Sequence, residues 1–151
     1  MLREALTERL KTAMRARDSR TVSTVRLILA ALKDRDIAAR GTGNHEGIAE
    51  SEIPRLLQSM VKQRRESAAL YHQGNRPELA QQEEEEVAVI ESFLPQQMGN
   101  AEIAAAVKAA IAETGAAGIK DMGKVMGVLR DRYPGVIDMG RAGAVVKQQL
   151  R

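Results

Sequence analysis

Three aromatic side chains, Tyr71, Phe93 and Tyr133, are all that this chain of 151 residues has to build a core around, and it contains no tryptophan. The interior must therefore be assembled from Leu, Ile, Val, Ala and Met. Hydrophobic residues at 44% and charged residues at 28% are ample for a folded chain. The 23 alanines favour helix. No segment shows the alternation of β-branched and polar residues that marks a strand. An all-α protein is expected. The shortage of aromatics also argues against RNA-recognition sheets and OB-folds, which stack bases on aromatic platforms.

Prolines at 54, 77, 95 and 134 punctuate the helical pattern. Leu2, Leu6, Leu10 and Met14 recur on one helical face, with Ala5 and Ala13 beside them. After a turn at Asp18 and Ser19, a second helix capped by Ser19 or Thr21 buries Val22, Val25, Ile28, Leu29 and Leu32. Gly41, Gly43 and Gly47 mark a loop. Ser51 is expected to cap a third helix with Pro54 in its first turn and a stripe of Ile53, Leu56, Leu57, Met60 and Val61. Gly74 and Asn75 close it. A fourth helix starts at Pro77, capped by Asn75 or Arg76, and buries Leu79, Val87, Ile90 and Leu94 before Pro95. Residues 95–100 read as a linker that ends in a new cap, Asn100. Three shorter helices follow, lined by Ile103, Val107, Ala110 and Ile111, by Met122, Val125, Met126 and Leu129, and by Ala142, Val145, Val146 and Leu150. The expected organisation is a four-helix part, 1–95, and a three-helix part, 96–151, with a modest interface that allows reorientation.

The absence of cysteine removes disulfides, thiol nucleophiles and thiolate metal sites. Two histidines, His45 in the glycine-rich loop and His72 near a helix end, make no metal-binding pattern. Glu83 to Glu86 fan outward around a helix and read as surface, not as an acid/base pair facing across a cleft. Gly118 to Lys124 fits the G-x-x-x-x-G-K skeleton of a phosphate-binding loop. Val125, however, stands where a hydroxyl would hold magnesium, and no strand precedes the loop. The structural reading is that Gly115 and Gly118 end one helix and Asp121 caps or opens the next. No cofactor, metal or catalytic residue is expected. Charged residues near the N-terminus leave no apolar signal segment, and no run is long enough to span a membrane. A cytoplasmic location is expected.

Charge is unevenly distributed. Residues 1–40 hold ten Lys and Arg against five Asp and Glu, whereas 77–92 hold six Glu and no base. The part before residue 95 sums to zero, and the part after it, with eight bases and five acids, carries the whole net charge of +3. Arg26, Lys33 and Arg40 recur every seven residues along one side of the second helix. They are either solvated or paired with Glu83 to Glu86, or they form a phosphate-binding stripe. Lys120 and Lys124 flank a helix N-terminus, which favours anions. Arg130, Arg132, Arg141 and Lys147 extend that patch if folding brings them to one side.

The blocks Val25-Arg-Leu-Ile-Leu-Ala-Ala-Leu-Lys33, Val61-Lys-Gln-Arg-Arg-Glu-Ser67, Phe93-Leu-Pro95 and Lys120-Asp-Met-Gly-Lys-Val-Met126 resemble the successive signatures of the bacterial YqeY proteins. These proteins in turn resemble the C-terminal helical region of GatB, a subunit of the amidotransferase that acts on misacylated glutamyl- or aspartyl-tRNA. Gly123-Lys-Val-Met126 and Gly140-Arg-Ala-Gly143, with Val146 and Leu150, correspond to the glycine-punctuated helices of that tail. Tyr133-Pro-Gly-Val-Ile-Asp138 departs from its pattern. The resemblance implies a helical part followed by a small tail domain associated with tRNA contact, the amide-transfer chemistry residing in other domains and subunits. The function expected is a tRNA-binding or amidotransferase-associated module without catalysis of its own, its partners being tRNA or a protein of the translation machinery. The alternative is a helical protein–protein adaptor with no RNA role, for which Met122 and Met126 offer a plastic surface.

Overall fold

A computed structural model describes residues 1–151 as seven α-helices with no strand. The chain divides into two compact units, Met1–Leu94 and Pro95–Arg151, each with its own aliphatic core.

The first unit contains α1 (Leu2–Ala16), α2 (Ser19–Gly41), α3 (Ile53–Gln73) and α4 (Pro77–Glu91). Leu6, Val25, Ile28, Ile53, Leu57 and Ile90 are fully enclosed at its centre. The third helix follows the expected stripe residue for residue, with Ile53, Leu56, Leu57, Met60 and Val61 all buried. Elsewhere the register shifts slightly. Met14 is 52% exposed because Ala13, small enough for close helix approach, takes the inward position. Ala80 does the same in α4, while Leu79 is only partly covered.

The caps differ from expectation more than the stripes do. Asp18, not Ser19 or Thr21, caps α2. Its carboxylate accepts from the Thr21 backbone N–H at 3.2 Å and the Thr21 hydroxyl at 2.6 Å. A carboxylate is the stronger acceptor facing a helix N-terminus, and these bonds hold the Asp18 carboxyl below its usual pKa. Ser51 does not cap α3, because a single 3-10 turn, Glu50–Glu52, precedes that helix and Glu52 accepts instead from the Ala49 N–H at 3.0 Å. Glu83 to Glu86 are not uniformly surface either. Glu86 is buried and receives Arg64 Nε at 3.0 Å, with Arg20 Nη1 at 3.9 Å, since α3 and α4 pack along their lengths and turn its side chain inward. Burial first, and then the neighbouring Glu86 charge, raises the Glu83 carboxyl above its usual pKa.

The start of α1 is held by residues far along the chain. The Glu50 carboxylate accepts from the Leu2 and Arg3 backbone N–H groups at 2.9 and 3.3 Å, and so caps a helix 47 residues away. The Arg3 guanidinium forms a two-pronged pair with Asp36 at 2.8 and 2.9 Å and donates to the Ile48 carbonyl at 2.8 Å. Asp36 also accepts from the Ile48 N–H at 2.9 Å. The bond from Arg3, reinforced by the Ile48 N–H, lowers the Asp36 carboxyl to about 2. A carboxyl that binds its proton less readily folded than unfolded stabilises fully above the unfolded value, near pH 4, and loses that contribution as pH falls through about 2. The urea midpoint of the protein is therefore expected to drop across this window. Asp36→Asn should lower the midpoint at neutral pH and flatten the acid limb.

The second unit contains α5 (Asn100–Thr114), α6 (Met122–Arg132) and α7 (Met139–Gln149) around Ile103, Val107, Ala110, Val125, Leu129, Ala142 and Val146. Residues 95–99 are not a free connector but part of this unit. The Met98 N–H bonds the Val136 carbonyl at 2.9 Å, the Gln97 amide reaches the Gly135 carbonyl at 2.9 Å, and Met98 packs on the core. Asn100 is the first helical residue, not the cap; Gly99 holds the cap position with no side-chain acceptor. Gly115, at φ +67°, closes α5 in a conformation that suits glycine. Asp138 caps α7, accepting from the Gly140 and Arg141 N–H groups at 2.9 and 3.2 Å.

Candidate nucleic-acid interface

The basic residues singled out in the second unit lie on α6, on α7 and on the 3-10 turn Ile119–Asp121 that leads into α6. All six, Lys120, Lys124, Arg130, Arg132, Arg141 and Lys147, are exposed. Lys120 and Lys124, four residues apart, stand together around Asp121. Asp121 holds the N-cap position and so opens α6 as expected, but its carboxylate is turned back to accept from the Ala117 N–H at 3.0 Å and makes no cap bond to the helix. That bond first, then the fields of Lys120 and Lys124, hold its carboxyl below the usual pKa. Neither lysine forms an ion pair with it within 4.0 Å.

The other four do not extend the pair into a single stripe. Arg132 is taken by Glu113 at 2.6 Å and Arg141 lies 3.8 Å from Asp138. Six residues separate Lys124 from Arg130, and Arg141 from Lys147, which turns each about 120° from the other around its helix. Lys120, Lys124, Arg130 and Lys147 make no ion pair within 4.0 Å. On α6 the glycines between them, Gly123 and Gly127, leave open space where a side chain would stand. That gap gives an approaching surface access to the backbone between the cations.

In the first unit Arg26, Lys33 and Arg40 are exposed along α2 and unpaired, so the expected alternative of pairing with Glu83 to Glu86 does not occur. Glu84, Glu85 and Glu86 are served instead by His72, Arg20 and Arg64, the His72 Nε2 lying 3.0 Å from Glu84. An open groove of about 400 Å³ runs between α1, the start of α2 and the end of α4, past Arg9, Thr12, Asp18, Thr21, Val89 and Ser92. Sequence reasoning missed it, since it joins residues eighty positions apart. Arg9 donates to the Ser92 hydroxyl at 3.0 Å and covers the Phe93 ring at 5.3 Å. No cluster of three or more His, Asp or Glu stands close enough to hold a metal ion. No helix is long and apolar enough to cross a membrane.

Proteins named "Altered inheritance of mitochondria protein 41, mitochondrial" are similar to this chain over part of their length. The one from Lachancea thermotolerans is 31% identical over 87 residues, which is 58% of this chain and 44% of the relative. Those from Vanderwaltozyma polyspora and Meyerozyma guilliermondii are 32% and 36% identical, over 56% of this chain and 44% and 42% of theirs. The matched region is thus less than half of each relative. The family described as Yqey-like protein matches residues 3–150, nearly all of both helical units, and the chain accordingly belongs to the YqeY family.

Proposed function

We propose that this protein is a binding module for structured RNA, most directly tRNA, working beside an amidotransferase or another component of the translation machinery in the cytoplasm. The observation that carries this reading is the set of exposed, unpaired cations Lys120, Lys124, Arg130 and Lys147 on the unit that holds the chain's net charge of +3. Its resemblance to the GatB tail supports the same partner. Recognition would depend on phosphate and shape, because one Tyr in this unit provides no stacking platform.

Each phosphate contact steepens the fall of log K with log salt by up to about one unit. Binding of the full chain to bulk tRNA, measured at two salt concentrations, is expected to be weak and salt-dependent. Changing Lys120 and Lys124 together to Ala should flatten the slope by about one to two units. Equal binding by the double variant and the parent, or no binding by the parent at low salt, would favour the second reading, a helical protein–protein adaptor.

A further inference from the structure

The second helix of the first unit is apolar on two sides. Thr24, Val25, Ile28 and Leu32 face inward and are buried. On the opposite side Leu27 and Ile37 are 46% and 51% exposed, with Ala30 also exposed between them. A single exposed leucine is ordinary. Leu27, Ala30, Asp34 and Ile37, however, follow a spacing of three, four and three, the a/d seam of a helix that packs against another helix. They share a strip about 80° wide. Arg26, Lys33 and Arg40 then all occupy the g position, the last of each heptad in this register, which selects partner charge. The e positions, Ala31 and Ala38, are uncharged.

We propose that the outer face of α2 docks an amphipathic helix of a partner protein whose flanking positions are acidic and which places a basic or polar residue opposite Asp34. Charge determines the occupant. A second copy docked antiparallel would set g against g, opposing the basic rows of both chains; docked parallel, it would offer them only alanine. RNA phosphates suit the basic edge but gain nothing from Leu27 and Ile37. A carboxylate-flanked apolar helix satisfies both features. This inference is independent of the tRNA reading, which concerns Lys120 and Lys124.

The test uses the full chain and a lactam-bridged helical peptide of two heptads, with Leu at a and d, one Lys set to oppose Asp34, and Glu along the flank. A control peptide carries Lys in place of each Glu. Anisotropy titration should show saturable binding of the acidic peptide and roughly tenfold or more weaker binding of the control. Leu27→Glu with Ile37→Glu should abolish binding while helical content and melting temperature stay at parental values, because both side chains are exposed. Arg26→Glu, Lys33→Glu and Arg40→Glu together should reverse the preference toward the basic peptide, a gain that misfolding cannot mimic. The proposal is overturned if the two peptides bind alike, if neither binds, or if charge reversal leaves the preference unchanged. It is also overturned if the chain self-associates through Leu27 and Ile37, or if tRNA displaces the peptide and binds the Leu27→Glu, Ile37→Glu chain as well as the parent.

Discussion

Arg64→Ala is expected to destabilise the first unit by about 3 kcal/mol, among the largest effects of any single substitution in the protein. Arg64 and Glu86 join α3 to α4 with only 14% and 11% of their side chains exposed. Arg64 Nη1 also donates to the Met60 carbonyl at 3.2 Å. Removing the guanidinium leaves a buried carboxylate whose remaining cation, Arg20, stands at 3.9 Å and is itself shared with Glu85. Desolvation of that charge is then largely unopposed. The prediction is specific to the pairing: Arg64→Met combined with Glu86→Leu should recover most of the loss, because two apolar side chains of similar volume need no partner. Urea unfolding of the two single variants and the double variant measures this. Additive losses would show that the two residues act separately.

Gly47→Ala should cost a comparable amount for a different reason. Gly47 adopts φ +88°, a conformation that L side chains rarely take, and an added Cβ would overlap the Asp36 carboxylate, with Cγ at 2.7 Å. Backbone strain of about 1–3 kcal/mol adds to weakening of the charge-assisted bonds between Arg3 and Asp36, about 1.5–3 kcal/mol. The midpoint in urea should fall by the equivalent of about 3 kcal/mol. Gly43→Ala serves as the control. It also has a positive φ, +98°, but meets nothing within 4 Å, so it should carry the strain without the collision. If the two variants lose stability equally, the close approach to Asp36 contributes nothing.

These two sites mark where sequence reasoning stopped. The helices were legible because their cause is local: Ile53, Leu56, Leu57, Met60 and Val61 declare a face by spacing alone, and Pro54 and Gly74 bound it. Caps were less legible, since Asp18, Ser19 and Thr21 compete within one turn and only geometry decides that the carboxylate accepts. Pairings between helices could not be read. Nothing in the run Glu83 to Glu86 distinguishes the residue that turns inward toward Arg64 from its exposed neighbours. In the candidate interface, the Arg141–Asp138 pairing is visible in its three-residue spacing. The capture of Arg132 by Glu113 depends on how α5 and α6 pack. The groove beside Arg9 depends likewise on tertiary approach.

The Glu50 carboxylate ties the start of α1 to a segment far along the chain. A helix capped from within its own sequence frays and reforms by itself, whereas the first turn of α1 draws its acceptor from the turn that precedes α3. Opening either segment orphans polar groups on the other. The first helical turn and the residues 42–52 are therefore expected to open together, as a single cooperative unit built from two stretches that are distant in the chain. Fluctuation in that glycine-rich loop is thus expected to reach the very beginning of the fold.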